Sequence, residues 1–123
     1  MREDDMGSLG PQLLAEAQSL SELIIGWRRE LHQFPELAFE ENITASRVVQ
    51  ALSSMEGVQV VRGIGSPTSV VGVIRGDLDA PALVIRSEMD ALPLEEETGL
   101  PFSSCMPGVM HACGHDAHMA SLL

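Results

Sequence analysis

Near the end of the chain, Met110-His111-Ala112-Cys113-Gly114-His115-Asp116-Ala117-His118 gathers three of the four histidines and one of the two cysteines. Imidazole and thiolate suit zinc and neighbouring transition metals. Only Gly114 separates Cys113 from His115, and a glycine lets the backbone bend until both side chains can face one ion. His115 and His118 share a face if a helix begins here. Asp116 is the expected acceptor for the second ring N–H of a ligating imidazole. Taken alone, Cys113 reads as a small buried hydrophobe and any one histidine as a core or surface residue; the clustering is what points to a metal. A structural zinc site fits poorly, because it needs a second Cys/His pair at finger-like spacing. Cys105 and Cys113 do not make a C-x-x-C redox pair.

Upstream elements must hold this loop. The apolar run Ala82–Arg86 reads as a strand buried on both faces, and it leads directly into Ser87-Glu88-Met89-Asp90. Acidic residues just past the C-terminal end of a buried strand lie where open α/β sheets place their chemistry. Before it, the β-branched stretches Val58–Val61 and Thr68–Arg75 read as strands, and Gly76–Pro81 as a turn. Asp77 and Asp79 lack the rest of a calcium loop, and the glycines between Arg62 and Pro67 do not match a dinucleotide fingerprint.

Earlier still, Leu13, Ala17, Leu20, Ile24, Trp27, Leu31 and Phe34 recur at steps of four and three. They form one helical stripe that starts at Pro11, can break near Ser19–Ser21, and ends before Pro35. His32 reads as a polar residue favoured by the helix dipole. Asn42 is a candidate cap for a second helix to about Met55, with Ile43, Val48, Val49 and Leu52 inward and Gly57 as the stop. Residues 1–10 read as a disordered tail, Glu95-Glu96-Glu97 as a solvated surface run, 98–109 as an irregular loop, and His115 as the start of a last helix.

Composition narrows the function classes. The 123 residues suffice for one domain. Hydrophobic content of 45% argues against disorder, and 3% aromatic content means a core of Val, Leu, Ile, Ala and Met. A net charge of −11 with no lysine argues against a nucleic-acid partner. No apolar run approaches the roughly 20 residues of a membrane span. The acidic Met1-Arg2-Glu3-Asp4-Asp5 lacks the apolar core of a signal peptide, and two cysteines make no disulfide framework, so a cytoplasmic, reducing setting is expected.

Four stretches carry a family resemblance. They are Trp27-Arg28-Arg29-Glu30-Leu31-His32-Gln33-Phe34-Pro35-Glu36-Leu37 with Phe39-Glu40-Glu41; Thr68-Ser69-Val70-Val71-Gly72; Ile85-Arg86-Ser87-Glu88-Met89-Asp90-Ala91-Leu92-Pro93; and Met110–His118. In this order the chain resembles the start of the zinc-peptidase amidohydrolases, the aminoacylase/carboxypeptidase superfamily, in the branch of hippurate hydrolases, N-acyl-amino-acid deacylases and indoleacetyl–amino acid hydrolases. The resemblance implies an α/β fold: the N-terminal part of a mixed-sheet catalytic domain over residues 11–123, two helices followed by strands. It implies a two-metal hydrolase (Zn, Mn or Co) acting on a small N-acyl amino acid. Cys113 resembles the family's metal-binding or metal-bridging thiolate and His115 a second ligand. Asp90 resembles the strand-end carboxylate that supports the site, and is the candidate catalytic residue. His111 and His118 flank the motif without an assigned role.

The chain departs from the family pattern in two ways. Glu88-Met89-Asp90 stands where the family usually shows Asp-Met-Asp, so the carboxylate at 88 is one methylene longer. Family members run to several hundred residues, with a general-base Glu and further ligands downstream, so the chain looks like the first third of such a protein. Two rivals follow: a catalytically inactive fragment or isoform that only binds metal or a partner, and a small metal or redox module. The upstream motifs argue against the second. An isolated sheet face without its cover should associate, so a homo-oligomer is among the expected states.

Overall fold

The computed structural model describes residues 3–77 and 80–123, with backbone alone for 3–8. Its elements are α1 (Glu3–Ser19), α2 (Ser21–Gln33), α3 (Asn42–Ser53), β1 (Val58–Arg62), β2 (Val70–Ile74) and α4 (His115–Leu122). This is an α/β arrangement, with three helices ahead of the strands where the periodicity suggested two. The long stripe breaks at Leu20. The Ser19 hydroxyl donates back to the Glu16 carbonyl at 2.7 Å, and the Leu20 N–H is shared between the Glu16 and Ala17 carbonyls. Such back-bonding from Ser bends helices. Residues 3–10 are helical rather than a disordered tail, and Pro11 lies inside α1 instead of starting it. Proline costs one intrahelical bond there, and the rest of the turn carries the helix through. Among the described residues no helix is long and apolar enough to cross a membrane.

The expected apolar stripe is buried only toward its end. Leu13 and Leu20 are exposed, whereas Leu31 is buried against Val48 of α3 and Met119 of α4. Leu52, Val70, Met89 and Leu123 pack around that cluster. Burying each such side chain is worth about 1.5–3 kcal/mol, so this patch carries much of the apolar stabilisation.

Asn42 does not cap α3. The cap position is Glu41, with no side-chain bond, and the Asn42 amide donates to the Glu40 carbonyl. The capping carboxylate comes from outside the helix: Glu36 accepts the N–H groups of Ile43 (3.0 Å) and Thr44 (2.8 Å) and the Thr44 hydroxyl (2.9 Å). A negative group at a helix N-terminus satisfies orphan donors and complements the dipole. This choice also turns the inward face: Thr44, Ala45 and Val48 are buried, whereas Ile43 is exposed.

β1 and β2 pair antiparallel, Val58 opposite Ile74 through Arg62 opposite Val70. The strand expected at Ala82–Arg86 is absent. Leu83, Val84 and Ile85 run unpaired and are 87%, 84% and 71% exposed. A strand exists only where a neighbour accepts and donates its backbone bonds, and no described segment lies beside this one. The turn expected at Gly76–Pro81 falls partly, and Asp79 wholly, outside the described residues.

Candidate metal centre

Two short backbone pairings bring the acidic stretch and the histidine loop together. The Ala91 N–H donates to the Glu36 carbonyl at 2.8 Å, and Leu37 bridges Ala91 in parallel. Leu92 and Met110 exchange two antiparallel bonds of 3.0 Å each. Glu36 therefore ties α3, by its carboxylate, to the segment that follows Asp90, by its carbonyl. Past Met110 the chain turns at Gly114, whose φ of +83° suits a residue without a Cβ, and α4 begins at His115.

His115 Nδ1 lies 2.8 Å from the Asp90 carbonyl oxygen and 3.0 Å from Asp90 Oδ1. Both oxygens accept, so Nδ1 carries the hydrogen, and the lone pair of the neutral ring is then on Nε2. This is how a ligating histidine is oriented and made more basic. One turn on, His118 Nδ1 stands 3.2 Å from Glu88 Oε2, and the two imidazole rings are 5.6 Å apart. Glu88 Oε1 meets Arg86 at 2.9 Å. A bond from its own backbone N–H, followed by His118, holds the Glu88 carboxyl below its usual range. Glu88, His115 and His118 each offer one ligand atom, all within 4.8 Å of one another. Two imidazoles and a carboxylate, with one imidazole fixed by a carboxylate behind it, fit a divalent transition ion.

Not every expected residue falls in this cluster. Cys113 is an exposed free thiol on the turn before α4 and is not among the three clustered donors. Asp116 does not back His115; Asp90 does. Asp116 points to the other side of α4 and is fully buried. There its Oδ2 accepts from Arg28 Nε at 2.8 Å and lies 2.7 Å from His32 Nδ1. On a helix, successive residues face different ways, so 115 and 116 cannot share one target.

His32 is thus more than a dipole-favoured surface residue. It is 2% exposed, and its Nε2 lies 3.2 Å from Glu96 Oε1. Glu96 accepts in addition from Thr98 and from the Ser104 N–H. Burial pushes its carboxyl up, but the Thr98, Ser104 and His32 contacts outweigh that and hold it at about 2. Within the surface run expected at 95–97, Glu95 and Glu96 therefore staple the 98–109 loop while Glu97 stays exposed: Glu95 accepts the Gly108 N–H as well, and the Cys105 N–H reaches the Gln33 carbonyl at 2.8 Å. The spacing of Arg28 and His32, one helical turn apart beside a capping Glu36, was the available signal that this face of α2 grips the site. His111 is 3% exposed with neither ring nitrogen partnered among the described residues. Burial lowers its pKa.

The description of peptidase family M20/M25/M40 matches residues 84–123, the span holding Glu88, Asp90, Cys113, His115 and His118. Thermostable carboxypeptidase 1 of Saccharolobus solfataricus is 46% identical over 112 residues, 91% of this chain and 28% of that protein. N-acetyl-L-cysteine deacetylase of Bacillus subtilis is 46% identical over 105 residues, 85% of this chain and 25% of that protein. Among solved structures, a dinuclear metal binding peptidase of the M20 family from Bacillus subtilis superposes with a TM-score of 0.79 at 40% identity, covering 85% of this chain and 29% of that one. The chain belongs to the M20 family. It spans less than a third of the length of these M20 relatives, and the matched third includes both the helical scaffold and the loop that presents His115.

Proposed function

We propose that the complete protein hydrolyses the amide bond of N-acyl amino acids with two divalent ions, held in part by Cys113 and His115. The observation that carries this reading is the clamp of two Asp90 oxygens on His115 Nδ1, which leaves Nε2 for an ion, within the M20-matched loop. Substrate class is supported by the deacetylase and carboxypeptidase names of relatives that share 46% of their aligned residues. When bound, such an ion pair supplies a water of lowered pKa and a polarised carbonyl. Zn, Mn and Co all suit a mixed thiolate, imidazole and carboxylate set.

In this reading Asp90 positions His115, and the rigid α2–α4 packing positions the loop. The remaining need is a proton carrier for the leaving amine. The carboxylates near the loop are already engaged: Glu88 by Arg86 and His118, Asp90 by His115, Asp116 by Arg28 and His32. That supports the second reading for the isolated 123 residues, a catalytically inactive form.

A chimera tests both. This chain replaces the matching segment of the Bacillus subtilis N-acetyl-L-cysteine deacetylase, and hydrolysis of N-acetyl, N-benzoyl and indoleacetyl amino acids is followed with added Zn, Mn or Co. Turnover of at least one substrate by the chimera, and none by the 123-residue chain, is the expected result. A folded chimera inactive on all of them would defeat the assignment, and saturable turnover by the short chain would defeat the second reading.

A further inference from the structure

We infer that His32 is held doubly protonated, as a cation that ties α4 to the 98–109 loop and so positions the chain on both sides of Cys113 and His115. Its two ring nitrogens face carboxylates from different elements. Nδ1 lies 2.7 Å from Asp116 Oδ2 on α4, and Nε2 lies 3.2 Å from Glu96 Oε1, just ahead of the loop. A carboxylate oxygen has only lone pairs to offer, and a neutral imidazole has one N–H and one lone pair. A neutral ring would press its bare nitrogen against one of the two oxygens, at a place where His32 is 2% exposed and water does little to screen the repulsion. With both nitrogens protonated, each donates to its own partner.

A proton on either carboxyl would be the other way to satisfy the geometry, and both ends disfavour it. Arg28 Nε donates to Asp116 Oδ2 at 2.8 Å, and a guanidinium favours the ionised form of its partner. Against the upward push of burial, Thr98, Ser104 and His32 hold the Glu96 carboxyl at about 2. Two cations, Arg28 and His32, then face two anions, Asp116 and Glu96. The remaining groups around the ring fit this balance. Phe102 meets His32 at 77°, with ring centroids 5.6 Å apart. The same Phe102 ring takes the guanidinium groups of Arg28 and Arg29 at 5.1 and 5.2 Å, as its electron-rich faces favour cations. His111, from the loop before α4, stands 6.4 Å away between centroids, and burial favours its uncharged form.

The consequence is positional. Glu96 and Asp116 bracket in sequence the stretch that carries Cys113 and His115. His32 lies between the two carboxylates and joins them through α2, so it is a positioning residue for that stretch. Its charge state stands apart from the hydrolase reading, and the test needs no turnover.

The test is the solid-state nitrogen-15 spectrum of the 123-residue chain at about pH 7.5, where an ordinary histidine is about nine-tenths neutral. The method is indifferent to self-association. Through-space correlation to the Asp116 and Glu96 carboxyl carbons assigns the His32 nitrogens, so the ring itself need not be replaced. We expect both to resonate as N–H. Glu96→Gln removes one anion and should return most of the ring to the singly protonated form, whereas Glu97→Gln, at the exposed neighbouring acid, should leave it unchanged. The Cys105 amide, held on the Gln33 carbonyl, should exchange at least about tenfold faster in Glu96→Gln, the loss expected for one charge-assisted bond. Far-UV circular dichroism checks that the helices are kept. A bare nitrogen on His32 in the parent overturns the inference. So does a ring that stays doubly protonated in Glu96→Gln, or one that loses its second proton equally in Glu97→Gln. Unchanged Cys105 exchange in Glu96→Gln overturns the positioning role.

Discussion

Asp116→Asn is the sharpest probe of the scaffold. In the folded chain Asp116 Oδ2 takes Arg28 Nε at 2.8 Å and sits 2.7 Å from His32 Nδ1. Asparagine keeps the shape and removes the charge; its carbonyl oxygen takes the place of Oδ2 between the two partners, and its NH2 group falls at the buried Oδ1 position, which has no partner among the described residues. Hydrogen bonds to a charged group are worth about 1.5–3 kcal/mol each. The Arg28 share is discounted, because that side chain is 34% exposed and regains water. The His32 share is not, because His32 cannot reach solvent without opening the α2–α4 contact. The sum is a loss of about 3 kcal/mol. With a urea slope of about 1.5 kcal/mol/M for a chain of this size, the midpoint should fall by about 2 M. Glu97→Gln, at an exposed neighbour of the staple, serves as a control with no shift expected. An Asp116→Asn midpoint within about 0.3 M of the parent would show that the buried cluster contributes nothing to holding α4 in place.

Other outcomes follow from the same geometry. Glu96 has its folded pKa depressed to about 2 from 4.5, so its contribution is present above about pH 4.5 and lost as pH falls toward 2. Its loop faces solvent, which trims the contribution to about 1–2 kcal/mol, and Glu96→Gln should flatten the acid limb of a stability–pH curve; an unchanged limb would count against the staple. Glu36→Gln weakens the cap of α3 and should cost about 1 kcal/mol in thermal or urea melts, whereas no loss would place the helix start under other control. The exposed Leu83-Val84-Ile85 segment should make the isolated chain self-associate. Sedimentation velocity should show species larger than a monomer that diminish in Val84→Lys, and a monodisperse parent would contradict this.

Sequence reading caught features set by local spacing better than those set by contacts between distant segments. The break near Ser19–Ser21, the stop before Pro35 and the start of α4 at His115 were legible because each depends on local spacing. Three other features depend on contacts far along the chain. Ala82–Arg86 has the composition of a buried strand, yet pairing is a property of two segments, and the described chain gives it no neighbour. Asn42 is a good cap by type, but the Glu36 carboxylate, held near it by the chain after Pro35, takes both amides. Glu96 reads as one of three surface acids, and only the return of the loop through Ser104, with His32 across from it, makes it a half-buried anchor. Asp116 was expected behind His115, and the helix geometry assigns that task to Asp90 instead.

The most direct measurement is metal content and hydrolysis together, in the deacetylase chimera carrying this chain, for the parent, Cys113→Ala and His115→Ala. Stripping the metal from the parent should abolish turnover, and re-adding Zn, Mn or Co should restore it. Both variants should lose bound metal and fall to background while keeping the parent's circular dichroism spectrum. A His115→Ala chimera that keeps its metal and turns over substrate at the parent rate would contradict the claim that this chain's loop is part of a metal-dependent amidohydrolase centre.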